Sequence, residues 1–444
     1  MIATDFNPKP ATVMHIDLNS CFASIEQQAN PLLRGKPVVV AAYTTGNGCI
    51  LASSREAKKL GIKTGMNVGD GKNIYPRLVV LPPDPEKYRW VNRRLRVLMS
   101  SYTARFSVES IDEMVMDLMG TPALTSHLRG VGTFTSEVSV AQSMVDIGCE
   151  IKERVRKEIG DWLTVSIGIA PNRYLAKVAS NLHKPDGLDI ITKETILNVF
   201  ATIQLEDLCG IKEGIGRRLV VAGITTPVLL ARASAVALIR ALHSKTGYWW
   251  WQRLHGWEDG VLYKDFESGQ NLQKTFGQSF ALGTPRLPQD PELWKILSQL
   301  IIKMGRRLRS DGLVARGISV SCFFRDSSYW HKNKTVSVPL FADDDFFRYG
   351  RELLLLAPAK LVRNLAVTSF DLLSKDTGQL PLWDADRKKR KITEVLDAIA
   401  DRWGEFTVTP ARMLSMEQKV LDRIAFGRIR ELTKVDLDKT TRFG

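Results

Sequence analysis

Residues 12–18 read T-V-M-H-I-D-L, an apolar, β-branched run that closes on a carboxylate, Asp17. Such a run reads as a strand, and a carboxylate at its end is destabilising unless it meets water, a cation or a metal. A strand-end Asp that caps the following helix satisfies the same rule, so the fragment alone leaves both readings open. A second acidic pair changes the balance. Asp112 and Glu113 close the tetrapeptide SIDE between two extended pieces, residues 103–108 and 114–118, which places them at a hairpin. Neighbours on a regular strand point to opposite faces, so these two carboxylates converge only if the hairpin or a bulge re-aims one of them. Three carboxylates from separate segments suit a two-metal site, because Mg²⁺ takes hard oxygen ligands and keeps positions open for substrate phosphates. With two ions about 3.5–4 Å apart, one lowers the pKa of an attacking hydroxyl and the other stabilises the leaving oxygen.

Around these carboxylates the chain interleaves strands and helices. Residues 36–43 form a second β-branched run, residues 21–28 look helical, and residues 54–60 read as a helix stopped by Gly61. Residues 88–102 read as a basic amphipathic helix. Residues 119–147, rich in Gly, Ser and Thr without a sustained period, are expected to be a long loop with one weak helical turn. Residues 164–170 read as a buried strand and residues 172–181 as the helix after it, with Lys177 and Lys184 seven apart on one helical face. From residue 205 to 255 the pattern is helical. Residues 258–270 are a polar linker, residues 270–364 return to mixed strands and helices, and a boundary near Ser374 precedes a charged, helical tail.

With 444 residues, 44% of them hydrophobic, the chain has material for several cores and about three to five modules. Its 62 Lys and Arg against 48 Asp and Glu give +14, a balance that favours a polyanionic partner, most simply nucleic acid. The five cysteines form no CxxC pair and the six histidines no HExxH, so neither a zinc site nor a disulfide framework is expected, and a reducing cytoplasm fits. No run approaches the roughly eighteen apolar residues of a membrane span, and the first dozen residues lack an apolar signal core, which argues against membrane insertion and export.

Three blocks, HIDLNSCFASIE (residues 15–26), SIDE (110–113) and SIGIAPNRYLAK (166–177) continuing to KPDG (184–187), resemble the signature blocks of the Y-family translesion DNA polymerases, in that family's order and at roughly its spacing. The resemblance covers most of the chain, is strongest over residues 13–188, and is nearest to the polymerase IV branch, with some features of the polymerase V catalytic-subunit branch. It implies a multidomain α/β (α+β) right-hand polymerase: palm at residues 1–20 and 76–187, small fingers at 21–75, a helical thumb at 188–257, the linker at 258–270, an α/β little finger at 271–374 and the charged tail at 375–444.

The resemblance also implies roles. Asp17, Asp112 and Glu113, with the backbone carbonyl of Leu18, would hold two Mg²⁺ ions. Phe22 would be the steric gate that excludes a ribonucleotide's 2′-hydroxyl, although without the family it reads as a helix-face core residue. Lys184 would contact the nucleotide's phosphates, with Lys177 less defined. Arg55 and Lys58 stand where the family usually has Tyr and Arg; Lys58 keeps the charge and loses the bidentate fork.

Gly210, Lys212 and Gly214 resemble a helix-hairpin-helix that lets backbone amides approach a DNA phosphate, with Lys212 in place of the usual second glycine. The aromatic run at residues 248–251 packs the thumb core more readily than it stacks bases. Positive charge at residues 274–286 and 303–309 falls in the little-finger segment that would grip duplex, in a salt-dependent manner. Gln379, Leu380, Leu382 and Trp383 resemble a peptide that docks in the apolar pocket of the sliding clamp; a loop tacked back onto the little finger accounts for the same residues.

The implied activity is template-directed, error-prone translesion synthesis from deoxynucleoside triphosphates, without proofreading, during tolerance of DNA damage. The expected partners are primer-template DNA, deoxynucleotides and the clamp, with the chain a cytoplasmic monomer. A competing reading is a catalytically inactive relative that bridges DNA, clamp and another polymerase, against which the intact carboxylates count. A nucleotide cyclase or nuclease on a palm-like fold leaves the thumb, little-finger and clamp-like segments unexplained.

Overall fold

A computed structural model of the chain describes residues 6–129, 137–258, 274–375, 384–415 and 420, and these fall into two compact units, one drawn from Met1–Gly269 and the other from Gln270–Asp422. At the centre of the first unit, β1 (Val13–Leu18) runs antiparallel to both β6 (Glu113–Asp117) and β7 (Val165–Ala170). Short strands β5 (Phe106–Val108) and β8 (Leu188–Ile190) form the edges.

The period of two along β1 sorts its side chains. Met14, Ile16 and Leu18 enter a core shared with Phe22 of α1 (Cys21–Ala29), Leu95 of α4 (Pro85–Ser100) and Ile147 of α6 (Glu137–Glu158). Val13 turns to the opposite face, where it joins Leu175, Ala176 and Ala179 of α7 (Arg173–Leu182). His15 and Asp17 share that second face. The helix α7 lies very close to the sheet there, because a Cβ at Gly168 would stand 2.0 Å from the Ala176 carbonyl oxygen and 2.2 Å from the Ser180 nitrogen. Only glycine admits that approach.

The stretch expected to be a long loop is, where it is described, helical from Pro122 onward. It holds α5 (Pro122–Arg129) and the first half of α6. Met144, Ile147, Ile151 and Val155 recur at three- and four-residue spacing, and all are fully buried. Half of that stripe, Ile151 and Val155, lies beyond the segment that suggested a loop.

A smaller sheet orders β3 (Ile50–Ser53), β2 (Val38–Ala41) and β4 (Val79–Leu81), and packs with α2 (Arg55–Lys59) and α3 (Val68–Ile74) through Val39, Ile50, Ala57 and Val68. The Ser54 side chain caps α2 by accepting from the Ala57 N–H. Past β8 come α8 (Ile196–Thr202), α9 (Glu213–Val221), α10 (Pro227–Arg232), α11 (Ala235–Leu242) and α12 (Thr246–Leu254). Of the aromatic run expected to pack there, Trp250 is buried in their core and Trp251 packs against it, whereas Tyr248 and Trp249 are exposed.

The second unit follows the order β9 (Thr275–Arg286), α13 (Pro291–Ser310), β10 (Leu313–Phe324), β11 (Tyr329–Leu340), α14 (Asp343–Leu355) and β12 (Val362–Ser374). Its antiparallel sheet runs β11-β10-β12-β9 and packs Ile318, Val320 and Val367 against Leu297, Ile301 and Met304 of α13 and Phe346 of α14. The charged tail contributes α15 (Asp384–Trp403), which docks on α13. Arg309 pairs with Asp397 at 2.6 Å and with Asp343 at 2.8 Å, Arg306 with Asp401 at 2.7 Å, and Lys303 with Glu405 at 2.8 Å. The positive charge expected to grip duplex at residues 303–309 is therefore largely matched inside the unit, because acidic residues of the tail face it.

Candidate active site

The β1–β6 register sets Asp17 directly opposite Glu113, so both carboxylates leave the same face of the sheet. Asp112 precedes β6 and belongs to the hairpin. The Ser110 hydroxyl donates to the Asp112 carboxylate and accepts from the N–H groups of Asp112 at 3.3 Å and Glu113 at 3.1 Å. The turn thus removes Asp112 from the strand alternation that would have sent it to the opposite side. Leu18 is buried and donates its N–H to the Asp112 carbonyl at 2.9 Å, which joins the end of β1 to the hairpin.

Lysines meet these carboxylates from above. Lys177 Nζ lies 2.5 Å from Glu113 Oε2, and Lys184 Nζ lies 2.5 Å from Asp17 Oδ2. The two lysines do not share a helix: α7 stops at Leu182, with His183 as its C-cap, and Lys184 lies beyond it. Pro185 disfavours helical backbone at the residue before it.

Burial pushes the Asp17 carboxyl up from 3.8 to about 6 although Lys184 opposes the shift, and burial likewise raises Asp112 against the Ser110 hydrogen bond. Burial, with Lys184 beside it, lowers the Lys58 ammonium below its ordinary value. Arg55 donates to the Thr164 hydroxyl, so α2 delivers Arg55 and Lys58 to the same end of the sheet.

His15, two residues before Asp17, is 1% exposed, and neither ring nitrogen has a hydrogen-bond partner. Its Nε2 is 3.8 Å from Glu113 Oε2, beyond hydrogen-bond range. Burial first, then Lys177 and Lys184, holds its pKa down at about 3, so the imidazole is neutral. His15, Asp112, Glu113, Arg173, Tyr174 and Lys177 are among the residues that line a cleft of about 490 Å³. Half-buried carboxylates beside a cleft, held in charge balance by lysines, are chemistry that suits hard divalent cations.

Other expected residues fall in different surroundings. Phe22 is 1% exposed and stacks on Tyr88 with ring centroids 4.3 Å apart, and the Tyr88 hydroxyl donates to Glu26 Oε1 at 2.9 Å. Gly210 adopts φ +91°, a conformation that favours glycine, in the turn before α9. Lys212 is the N-cap of α9 and Gly214 lies in its first turn. Residues 379–383, the clamp-like peptide, lie outside the described residues.

Sequence reasoning gave Asn19 no role, yet it ties three segments together. Its side-chain amide donates to the Ser166 hydroxyl at 2.8 Å, and its oxygen accepts from the Thr164 hydroxyl at 3.0 Å and the Asp186 N–H at 2.8 Å. Its position inside the first block, beside Asp17, was the available signal.

Among the described residues, no helix is long and apolar enough to cross a membrane. Residues 16–181 match the impB/mucB/samB family, and residues 273–382 match the C-terminal domain of that family. The chain is 28% identical to DNA polymerase IV 1 of Bacillus subtilis over 95% of this chain and 97% of that one. It is also 28% identical to DNA polymerase IV of Acetivibrio thermocellus, over 93% and 99%. In fold it is similar to a Y-family DNA polymerase chimera of Dbh and Dpo4, with a TM-score of 0.67, 21% identity and coverage of 82% of this chain and 99% of that one. An insertion ternary complex of Dbh DNA polymerase gives a TM-score of 0.51 at 20% identity over 82% and 99%.

Proposed function

This chain belongs to the impB/mucB/samB family of Y-family, DinB-type DNA-directed DNA polymerases, and on that premise we propose that it performs error-prone translesion synthesis without proofreading. Each turnover joins a deoxynucleotide to a primer 3′-hydroxyl and releases pyrophosphate. The observation that carries the reading is the in-register meeting of Asp17 and Glu113, with Asp112 turned beside them by Ser110.

Asp17, Asp112 and Glu113, with the Leu18 carbonyl, would hold two Mg²⁺ ions. When bound, such ions lower the pKa of the attacking hydroxyl and stabilise the leaving oxygen. Lys184, Lys58 and Arg55 would neutralise the triphosphate, and Lys184 would exchange its contact with Asp17 for a phosphate. Phe22 would exclude the 2′-hydroxyl of a ribonucleotide, with its ring fixed by Tyr88. Gly210, Lys212 and Gly214 would approach a DNA phosphate, and Gln379, Leu380, Leu382 and Trp383 would dock on a sliding clamp. The chain would act as a cytoplasmic monomer. The accessory-protein alternative gives no reason to keep three half-buried carboxylates side by side at the edge of a cleft.

Primer extension with Mg²⁺ and four deoxynucleotides, on undamaged and abasic templates, tests the reading beside Asp112→Ala. Extension that depends on template and disappears in the variant is expected. Extension that survives in the variant rejects the assigned site, and none from the native protein, even with clamp, rejects autonomous polymerase activity.

A further inference from the structure

The three proposed carboxylates leave one donor at the site unexplained. His15 is almost fully enclosed, and both ring nitrogens lack a hydrogen-bond partner, although buried polar groups are normally satisfied. The sheet supplies nothing on its rung: His15 stands opposite Val115 on β6 and Gly168 on β7, and neither side chain can donate or accept. Glu109, Arg173, Tyr174 and Lys177 line the same cleft, and two carboxylates stand on the next rung. Asp17 lies on the same face of β1, Glu113 Oε2 is 3.8 Å away, and one ligand atom from each of His15, Asp17 and Glu113 lies within 4.8 Å of the other two.

We infer that His15 is a nitrogen ligand which, with Asp17 and Glu113, forms a mixed imidazole–carboxylate set for a first-row divalent metal such as Mn²⁺. Among divalent ions an imidazole suits the first-row transition metals, most strongly those beyond Mn²⁺, and does not suit Mg²⁺, whereas carboxylates serve Mn²⁺ and Mg²⁺ alike. The position therefore discriminates between metals, and a pair of bare carboxylates would not. Lys177 and Lys184 now compensate Glu113 and Asp17, and a bound cation takes over that compensation. The inference rests on the proposed metal site and needs no DNA or turnover to be tested.

The experiment is pulsed electron paramagnetic resonance of Mn²⁺ added to the full-length protein without substrate, at natural abundance and after labelling with ¹⁵N-histidine. The expected result is a ¹⁴N modulation that changes to the ¹⁵N pattern on labelling and disappears in His15→Gln, with Mn²⁺ affinity about tenfold lower or more and Mg²⁺ affinity little changed. Bound Mn²⁺ without histidine modulation, or modulation retained in His15→Gln, overturns the inference and leaves the carboxylate site standing, provided Asp17→Asn releases the ion. Failure of the native protein to bind Mn²⁺ at all overturns both. The labelled native protein decides the matter even if the variant does not fold.

Discussion

Lys184 donates to Asp17 at 2.5 Å across a sequence separation of 167 residues, yet the Asp17 carboxyl still stands at about 6 instead of 3.8. Burial outweighs the ion pair, so this position is organised at the expense of stability.

The pH dependence of that strain follows from the shift. Asp17 holds its proton up to about pH 6 when folded and to about 3.8 when unfolded, so the folded state binds more protons in that window and stability falls as pH rises through it. Asp17→Asn is expected to stabilise the metal-free protein near pH 8 by on the order of 1–3 kcal/mol, with little difference near pH 4. Urea denaturation in EDTA at both pH values measures this. A variant no more stable than the native protein near pH 8 rejects the account, and Mg²⁺ should reverse the order by stabilising only the native site.

Gly168 controls how near α7 comes to the sheet. The added Cβ of Gly168→Ala would meet backbone atoms at 2.0 and 2.2 Å, which no side-chain rotation relieves. The variant should lose about 1–3 kcal/mol or more and should draw Lys177 away from Glu113, so that extension falls further than the lost stability explains. Thermal unfolding alongside primer extension well below the melting temperature separates the two. Near-native stability with full activity would show that α7 has room to move.

Much of this site was readable in the sequence and some was not, for definable reasons. The apolar, β-branched run at residues 12–18 located β1 and put Asp17 at its end, whereas the face Asp17 takes follows from the pairing with β6, which the run does not specify. The difficulty that Asp112 and Glu113 are neighbours was also visible, but the remedy was not, since the Ser110 hydroxyl acts through turn geometry. The first half of α6 was hidden because its composition resembles a loop while Ile151 and Val155, half of its buried stripe, lie further along. Lys184 was placed on α7 by counting residues, and Pro185 ends that count. The place of α15 could not be read at all, because it depends on ion pairs such as Arg309–Asp397 between segments 88 residues apart.

If Phe22 is the sugar gate, its ring depends on Tyr88, which stacks on it at an interplanar angle of 13° and is anchored by Glu26. Loss of an aromatic pair of this kind is worth about 0.5–1.5 kcal/mol. Tyr88→Leu should therefore relax discrimination against ribonucleotides by up to roughly tenfold while Phe22 itself is unaltered. The ratio of kcat/KM for matched deoxyribo- and ribonucleotides reads it. An unchanged ratio would mean that the backbone of α1 alone positions the gate.

The Arg309 side chain is 4% exposed and is shared between Asp343 and Asp397, so it binds α13, α14 and α15 at one point. Removing one carboxylate leaves the guanidinium buried with its remaining partner, and breaking a buried pair on one side costs about 3–5 kcal/mol. Asp343 softens that loss in Asp397→Ala, and Asp397 is partly exposed, so the expected cost is on the order of 2–3 kcal/mol, with α15 becoming the first segment cut in limited proteolysis. Arg309→Met should be milder than Asp397→Ala, because it removes the buried charge instead of isolating it. If the order of the two variants is reversed, α15 is held by its apolar contacts and the ion pairs only set its register.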